Sequence, residues 1–308
     1  MLHPMIQART RLPMASQNYS AVTNRGNSRN NNEDCYLSSP EYGLWAVADG
    51  MGGHDAGEVA SAIVRETLQN SQPQGQSLVE AIQESHRAVL QAANEGVGAP
   101  GMGSTVVALH SVNQHYEVAW VGDSRAYLWS PGIEGGQLQQ LTTDHSYVQL
   151  LLASGAITEA EVDSHPEKHV ITQCLGSNEL QKVRVDTVQG KWRQSEWILL
   201  CSDGLTDEVS DQTIAEILVH SPTPQHAVDR LLKQALDNGG RDNVTIQVVE
   251  SPCSRPAANN HHRAEANGPT DHAAQLPFTD GLHTWHPLLA ASLVVLAGLA
   301  ALFYWLMA

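Results

Sequence analysis

The chain has 308 residues, 42% of them apolar and only 5% aromatic, enough to bury one sizeable core or two modest ones and too apolar for compositional disorder. Thirty-three acidic residues against 17 basic ones give a formal charge of −16. That sign excludes a protein that neutralises nucleic-acid phosphates, and part of the excess is what a cation cluster would demand.

Residues 1–15 read as an unstructured leader. Arg9 and Arg11 are followed by Leu12-Pro13-Met14 and then by a polar stretch, so no secretory signal is expected. Strand signals follow at Tyr19–Thr23, Cys35–Ser38 and Gly43–Ala48, then helical spacing over Glu58–Gln69 and again from Leu78 to Ala93. Gly101–Val112, His115–Val121 and Arg125–Trp129 read as consecutive strands, the first two joined by a turn at Asn113-Gln114. Between Asp144 and Gly176 the pattern turns short, amphipathic and polar, with a helix at Tyr147–Ala153 and a break at His165-Pro166, as in an excursion from a sheet. Strands return at Val183–Val188 and Trp197–Cys201, helices at Gln212–Val219 and Gln225–Leu236, and a last strand at Val244–Val249. Helices alternating with long β runs predict an α+β layered fold.

The residues from 251 to 287 are rich in Pro, Asn, His, Ala and Thr and predict a disordered linker. From Leu288 to Ala308 the chain is uncharged, and a helix of that length spans roughly 30 Å of hydrocarbon. Trp285 precedes this run and Phe303-Tyr304-Trp305 close it, as interfacial aromatics do, which predicts a C-terminal transmembrane helix rather than a buried terminal helix.

Cys35, Cys174, Cys201 and Cys253 are far apart and lack the close pairs of zinc or redox motifs, which predicts reduced, incidental thiols. His165 and His169 flank Pro166, which spoils the regular helix a zinc pair needs, so both read as solvated residues. The glycines at 50, 52, 53 and 57 lack the Lys-Ser/Thr ending of a phosphate loop.

Four apolar runs are each abutted by an aspartate: Leu44–Ala48 by Asp49, Val118–Val121 by Asp123, Ile198–Cys201 by Asp203, and Val244–Val248 by Asp242. Carboxylates at the ends of rigid strands suit hard divalent cations such as Mg2+ and Mn2+. Gly50 permits a sharp turn after Asp49, and its carbonyl can approach a second cation. Two ions about 3.5–4 Å apart can hold a bridging water and leave a hydroxide poised for attack on phosphorus. Upstream, Arg29 suits bidentate phosphate binding, and the adjacent Glu33 and Asp34 suit the orientation of metal waters.

In order and spacing, TNRGNSRNNNED (23–34), ADGMGGHDAG (48–57), Gly103-Ser104-Thr105, VGDSR (121–125), LTTDHS (141–146), CSDGL (201–205) and GRDNVT (240–245) resemble the bacterial branch of the metal-dependent Ser/Thr protein phosphatases of type 2C. The resemblance covers 16–250. It implies a four-layer α-β-β-α sandwich of two antiparallel sheets flanked by helices, with two central Mn2+ or Mg2+ ions in a cleft at one end. Asp49 would bridge the ions, the Gly50 carbonyl would bind one of them, and Asp203 and Asp242 would complete the other. Glu33 and Asp34 would act through metal waters, Arg29 would grip the phosphate, and Asp123 with Asp203 would hold a third, weaker ion. Residues 146–175 would form a mobile flap beside the cleft.

One position departs from the animal relatives, in which a histidine directly follows Asp-Gly as general acid. Met51 stands there and His54 comes three residues later, so His54, His145 and a metal-bound water all stay open for that role. The resemblance implies hydrolysis of phosphoserine and phosphothreonine in proteins, with Ser/Thr kinases and their substrates as partners. With the terminal helix, it implies a tail-anchored enzyme with its domain in the cytosol. The alternative is an inactive, membrane-tethered phosphoprotein-binding module.

Overall fold

Leu44, Ala46 and Ala48 point to one side of β3 (Leu44–Met51) and Trp45 and Val47 to the other, and all five are buried. A strand apolar on both faces must be covered on both faces, and this requirement sets the architecture. The computed structural model describes residues 18–253 apart from 53–55, 134, 163 and 181.

The elements run β1 (Tyr19–Asn24), β2 (Asp34–Ser39), β3, α1 (Ala56–Ser71), α2 (Leu78–Asn94), β4 (Gly103–Ser104), β5 (Val106–Val112), β6 (His115–Val121), β7 (Arg125–Ser130) and β8 (Gln137–Gln140). They continue with α3 (Tyr147–Ala153), α4 (Glu159–Val162), β9 (Asp186–Lys191), β10 (Trp197–Cys201), α5 (Asp203–Thr206), α6 (Asp211–Val219), α7 (Pro224–Asp237) and β11 (Val244–Glu250).

Two antiparallel sheets result. One has the order β1-β11-β10-β7-β8; the other has β2-β3-β5-β6-β9, with the short β4 paired to β3. Alternation along each strand divides the apolar residues among three cores. Trp45, Val47, Val107, Leu109, Ile198 and Leu200 fill the space between the sheets. Leu44, Ala46, Ala60, Val64, Ile82 and Val89 join the second sheet to α1 and α2, and Trp197, Leu199, Leu218, Val228 and Leu231 join the first to α6 and α7. The four-layer α-β-β-α sandwich is therefore as expected.

Four local expectations change. Gly101–Val112 is not one strand: the main chain and hydroxyl of Thr105 are both turned to Asp49, which separates β4 from β5. The strand expected at Val183–Val188 lies three residues later, because Val183 and Val185 pack in the core beneath α1 and α2 while Asp186–Lys191 pairs with β6. The edge strand β8, Gln-Leu-Gln-Gln, is too polar to signal itself. The one-turn helix α5 begins on Asp203, where only a strand end was expected.

The four cysteines are free, and burial pushes the Cys35 and Cys201 thiols up to about 11 and about 12, consistent with unreactive thiols. Among the described residues no helix is long and apolar enough to cross a membrane. The linker expected from 251 begins later, because Ser251 is buried with its amide donating to the Glu196 carbonyl and Cys253 packs against the core between the sheets; the expected leader, the rest of the linker from 254 and the terminal helix at 288–308 lie outside the described residues.

Candidate active site

Antiparallel pairing brings Asp34 of β2 opposite Asp49 of β3. In the other sheet, β10 ends and β11 begins at the same end of the sandwich, so Asp203 and Asp242 arrive from across the gap, and Gly122 turns Asp123 in after β6. The strand-end aspartates thus converge from both sheets, not from one. Arg29, Glu33, Asp49, Gly50, Asp123, Asp203 and Asp242 all line a cleft of about 600 Å³.

Main-chain contacts hold these carboxylates in place. The Asp49 amide donates to the Thr105 hydroxyl at 3.2 Å and its carbonyl accepts from the Thr105 amide at 2.8 Å. Asn243 accepts from the Glu33 amide at 2.7 Å and donates to the Arg25 and Asn31 carbonyls at 2.9 Å each, which fastens the Arg29–Glu33 loop to β11. Ser202 donates to one oxygen of Asp34 at 2.7 Å while accepting from the Thr245 amide at 3.0 Å. Arg29, half exposed at the mouth of the cleft, donates to Asp242 at 2.6 Å.

Gly50 has a different role from the turn expected of it, since β3 continues through it to Met51. A Cβ there would stand 2.0 Å from the Gly57 carbonyl oxygen and 2.6 Å from that of Glu33. Its smallness lets α1 and the Glu33 loop close on the strand end. At Gly204 a Cβ would lie 1.9 Å from the Asn243 carbonyl oxygen, so the glycine lets α5 approach β11.

The donor set fits hard cations. One oxygen of buried Asp34 has no hydrogen-bond partner, and burial pushes this carboxyl up to about 6. Burial, followed by repulsion from Asp144, takes Asp123 to about 6 as well. Asp49 is held well above the usual range by burial and then by Asp34, and Asp203 by burial and then by Asp123 and Asp207. Crowded carboxylates that resist ionisation on their own are relieved by divalent charge, and all-oxygen ligation suits Mg2+ or Mn2+.

The histidine expectations divide. His54 lies outside the described residues. His145 is unsuited to acid catalysis, because Nδ1 accepts from the Gly122 amide at 3.1 Å and Nε2 faces Asp186 at 3.3 Å, with the ring stacked on Trp120 away from the cleft. Sequence reasoning missed Asp207 and passed over Lys168 and His169, all of which line the cleft. The Asp203-to-Asp207 spacing, one helical turn, was the available signal.

A family profile described as protein phosphatase 2C matches residues 15–150. Serine/threonine phosphatase stp of Listeria monocytogenes is 36% identical over 241 residues, covering 74% of this chain and 93% of the relative. The chain belongs to the protein phosphatase 2C family. Serine/threonine protein phosphatase PstP of Mycobacterium tuberculosis is 37% identical over 238 residues, which are 75% of this chain, and the chain spans 44% of that relative's length. The crystal structure of the PstP catalytic domain in complex with two manganese ions superposes with a TM-score of 0.66 at 34% identity, covering 76% of this chain and 97% of that one.

Proposed function

We propose that the chain is a Mn2+- or Mg2+-dependent phosphatase that hydrolyses phosphoserine and phosphothreonine in proteins. The observation that carries this reading is the convergence of Asp49, Asp123, Asp203 and Asp242 on one cleft, with Asp34 buried opposite Asp49 and a guanidinium, Arg29, at the mouth. Asp49, the Gly50 carbonyl, Asp203 and Asp242 would hold two central ions, Glu33 and Asp34 would order the waters around them, and Asp123 with Asp203 would hold a third. Bound, the ions supply Lewis acidity and lower the pKa of the attacking water, so the protein needs no nucleophile of its own.

Arg29 matches a phosphate's paired oxygens, and its link to Asp242 aims it across the cleft before substrate arrives. Thr105 and Asn243 keep the carboxylates and the Glu33 loop from rearranging, so little reorganisation precedes attack. For the general acid, the engagement of both nitrogens of His145 leaves His54 and water as the groups this reading keeps.

The uncharged run 288–308 with its flanking aromatics supports a single-pass C-terminal anchor that leaves the domain in the cytosol. Phosphorylated proteins, Ser/Thr kinases and their substrates among them, are the partners this reading implies.

The test follows phosphate release from a phosphothreonine peptide by the full chain in detergent. Manganese-dependent turnover that vanishes with chelator and in Asp49→Asn is the expected result. Retained peptide binding without release under every condition would replace the enzyme by an inactive phosphoprotein-binding module.

A further inference from the structure

We propose that the gap between the edge strands β8 and β9, at the end of the sandwich away from the catalytic cleft, binds a phosphorylated sugar or polyol. The pocket there measures about 630 Å³, the size that holds a small organic molecule.

β1 and β2 meet on one side of the sandwich, so β8 and β9 are the free edges on the other. Leu128 and Ser130 of β7 stand opposite Gln139 and Gln137 of β8, which puts all four side chains on one face of the first sheet. Leu128 packs on the core between the sheets, so that face is the inner one. Elsewhere the inner face carries Trp45, Val47, Ile198 and Leu200, but β8 presents two exposed glutamines to it while Leu138 turns outward against the core under α6 and α7. Amides at positions where neighbouring strands carry Ile and Leu leave this edge of the sandwich open and polar.

Buried polar groups form the floor. Tyr116 of β6 is only 8% exposed, and its hydroxyl has no hydrogen-bond partner among the described residues. Gly190 of β9 makes room for it, since a Cβ there would overlap the phenol ring. Burial, followed by the charge of Glu196, raises the Tyr116 pKa, so the phenol stays a proton donor at neutral pH. Glu196 is 2% exposed: one of its oxygens accepts from the Ser130 hydroxyl at 3.0 Å and the other from the Arg193 amide at 2.7 Å. These bonds fix the carboxylate and leave each oxygen able to accept again.

Lys191 and Arg193 stand beside the pocket, and among the described residues neither side chain is in an ion pair. In a chain with 33 acidic and 17 basic residues, two unpaired cations at one pocket favour an anion, and a guanidinium suits phosphate. With its anionic end there, the body of the ligand meets Gln137, Gln139, the phenol and Glu196, which together donate to and accept from hydroxyl groups. A nucleotide fits less well. Stacking a base needs an exposed ring face, whereas Trp192 is 2% exposed and lies edge-on to Tyr116 at 5.2 Å. β6 leads from Tyr116 toward Asp123, so roughly 20 Å of strand separates this pocket from the cleft, and a ligand in one leaves the other free.

The test uses the full chain in detergent with chelator in place of metal ions, so its readout is independent of whether the protein hydrolyses anything. Glucose-6-phosphate, ribose-5-phosphate and glycerol phosphate, with glucose, inorganic phosphate and AMP for comparison, are titrated calorimetrically into wild type, Tyr116→Phe, a Lys191→Ala/Arg193→Ala double variant and Arg29→Ala. At least one phosphorylated polyol should bind wild type with a Kd of roughly 1 mM or tighter, and roughly 10-fold more tightly than glucose, phosphate or AMP. The double variant should weaken that binding roughly 10-fold or more, Tyr116→Phe roughly 3-fold to 10-fold, and Arg29→Ala not at all. Saturable binding by none of the three, equal binding by the double variant, or loss of binding in Arg29→Ala would overturn the site and leave the glutamines as a device that keeps β8 from pairing with another chain. Tighter binding of AMP would overturn the ligand class. Far-UV circular dichroism and thermal melts confirm that the variants are folded.

Discussion

Asn243 satisfies three main-chain groups with one buried side chain, and these groups belong to the loop that carries Arg29 and Glu33. Truncation to Ala would remove the bonds to the Glu33 N–H and to the Arg25 and Asn31 carbonyls, each worth about 1–3 kcal/mol where water cannot replace the lost bond. Asn243→Ala should therefore lose roughly 2–4 kcal/mol in denaturant unfolding, and it should weaken Mn2+ binding measured calorimetrically because the Glu33 loop is no longer held. Asn243→Asp keeps the acceptor for Glu33 but loses both donors and adds a carboxylate to a crowded site. It should bind Mn2+ differently from wild type while unfolding no later than the Ala variant. Unchanged melting and unchanged Mn2+ affinity in the Ala variant would show that the loop is fixed by other contacts.

Gly50 and Gly204 are among the glycines at which elements of this fold meet with no room for a Cβ. Gly50→Ala forces β3 away from α1 and the Glu33 loop, since its Cβ would stand 2.0 Å from backbone that no rotamer change can move. The expected outcome is a loss of more than about 3 kcal/mol, or failure to fold, in urea unfolding. Gly75→Ala is the control: it caps the short 3-10 turn at Gln72–Gln74 with φ 70° and has nothing within 4 Å of a Cβ, so it should cost only about 1 kcal/mol. Equal losses at the two positions would show that the strand end relaxes around the added methyl, because Gly50 has no positive φ to account for a cost.

The same elements explain what could be read from the sequence. β3, β5, β6, β10 and β11 announce themselves because strands covered on both faces carry long apolar runs, and Asp49, Asp123, Asp203 and Asp242 stand out as charges at the ends of such runs. β8 carries one apolar residue in four and is invisible to that signal. The register between Asp34 and Asp49, the Ser202 bond to Asp34 and the meeting of His169 with Asp207 all depend on long-range pairing, which local periodicity cannot encode. The cleft's metal character was legible for that reason, while the flap's contribution to it was not.

At the scale of the whole molecule, gathering carboxylates at one end of the sandwich makes metal-free folding pH-dependent. Asp34 titrates near 3.8 when unfolded and is pushed up to about 6 by burial in the folded chain, against the partial help of its Ser202 hydrogen bond. Between those values the folded state holds a proton that the unfolded state has released, so stability falls as pH rises from about 4 to about 6 and stays low above it. Asp123, raised to about 6, acts in the same direction. His145 acts oppositely, because burial lowers its pKa below 6.5 and its folded form resists protonation as pH falls. The sum of these effects is not diagnostic, but a difference between two chains is. Asp34→Asn removes one titrating group, so the change in metal-free melting temperature between pH 4 and pH 7 should be smaller or reversed relative to wild type. The shift of about two units in Asp34 corresponds to at most about 3 kcal/mol at neutral pH. Saturating Mn2+ at pH 7.5 should raise the melting temperature of wild type strongly, because the ions bind the ionised carboxylates that destabilise the empty site. Parallel pH profiles for wild type and Asp34→Asn, measured by calorimetry in chelator, would show that Asp34 is solvated in the metal-free fold and contributes no such penalty.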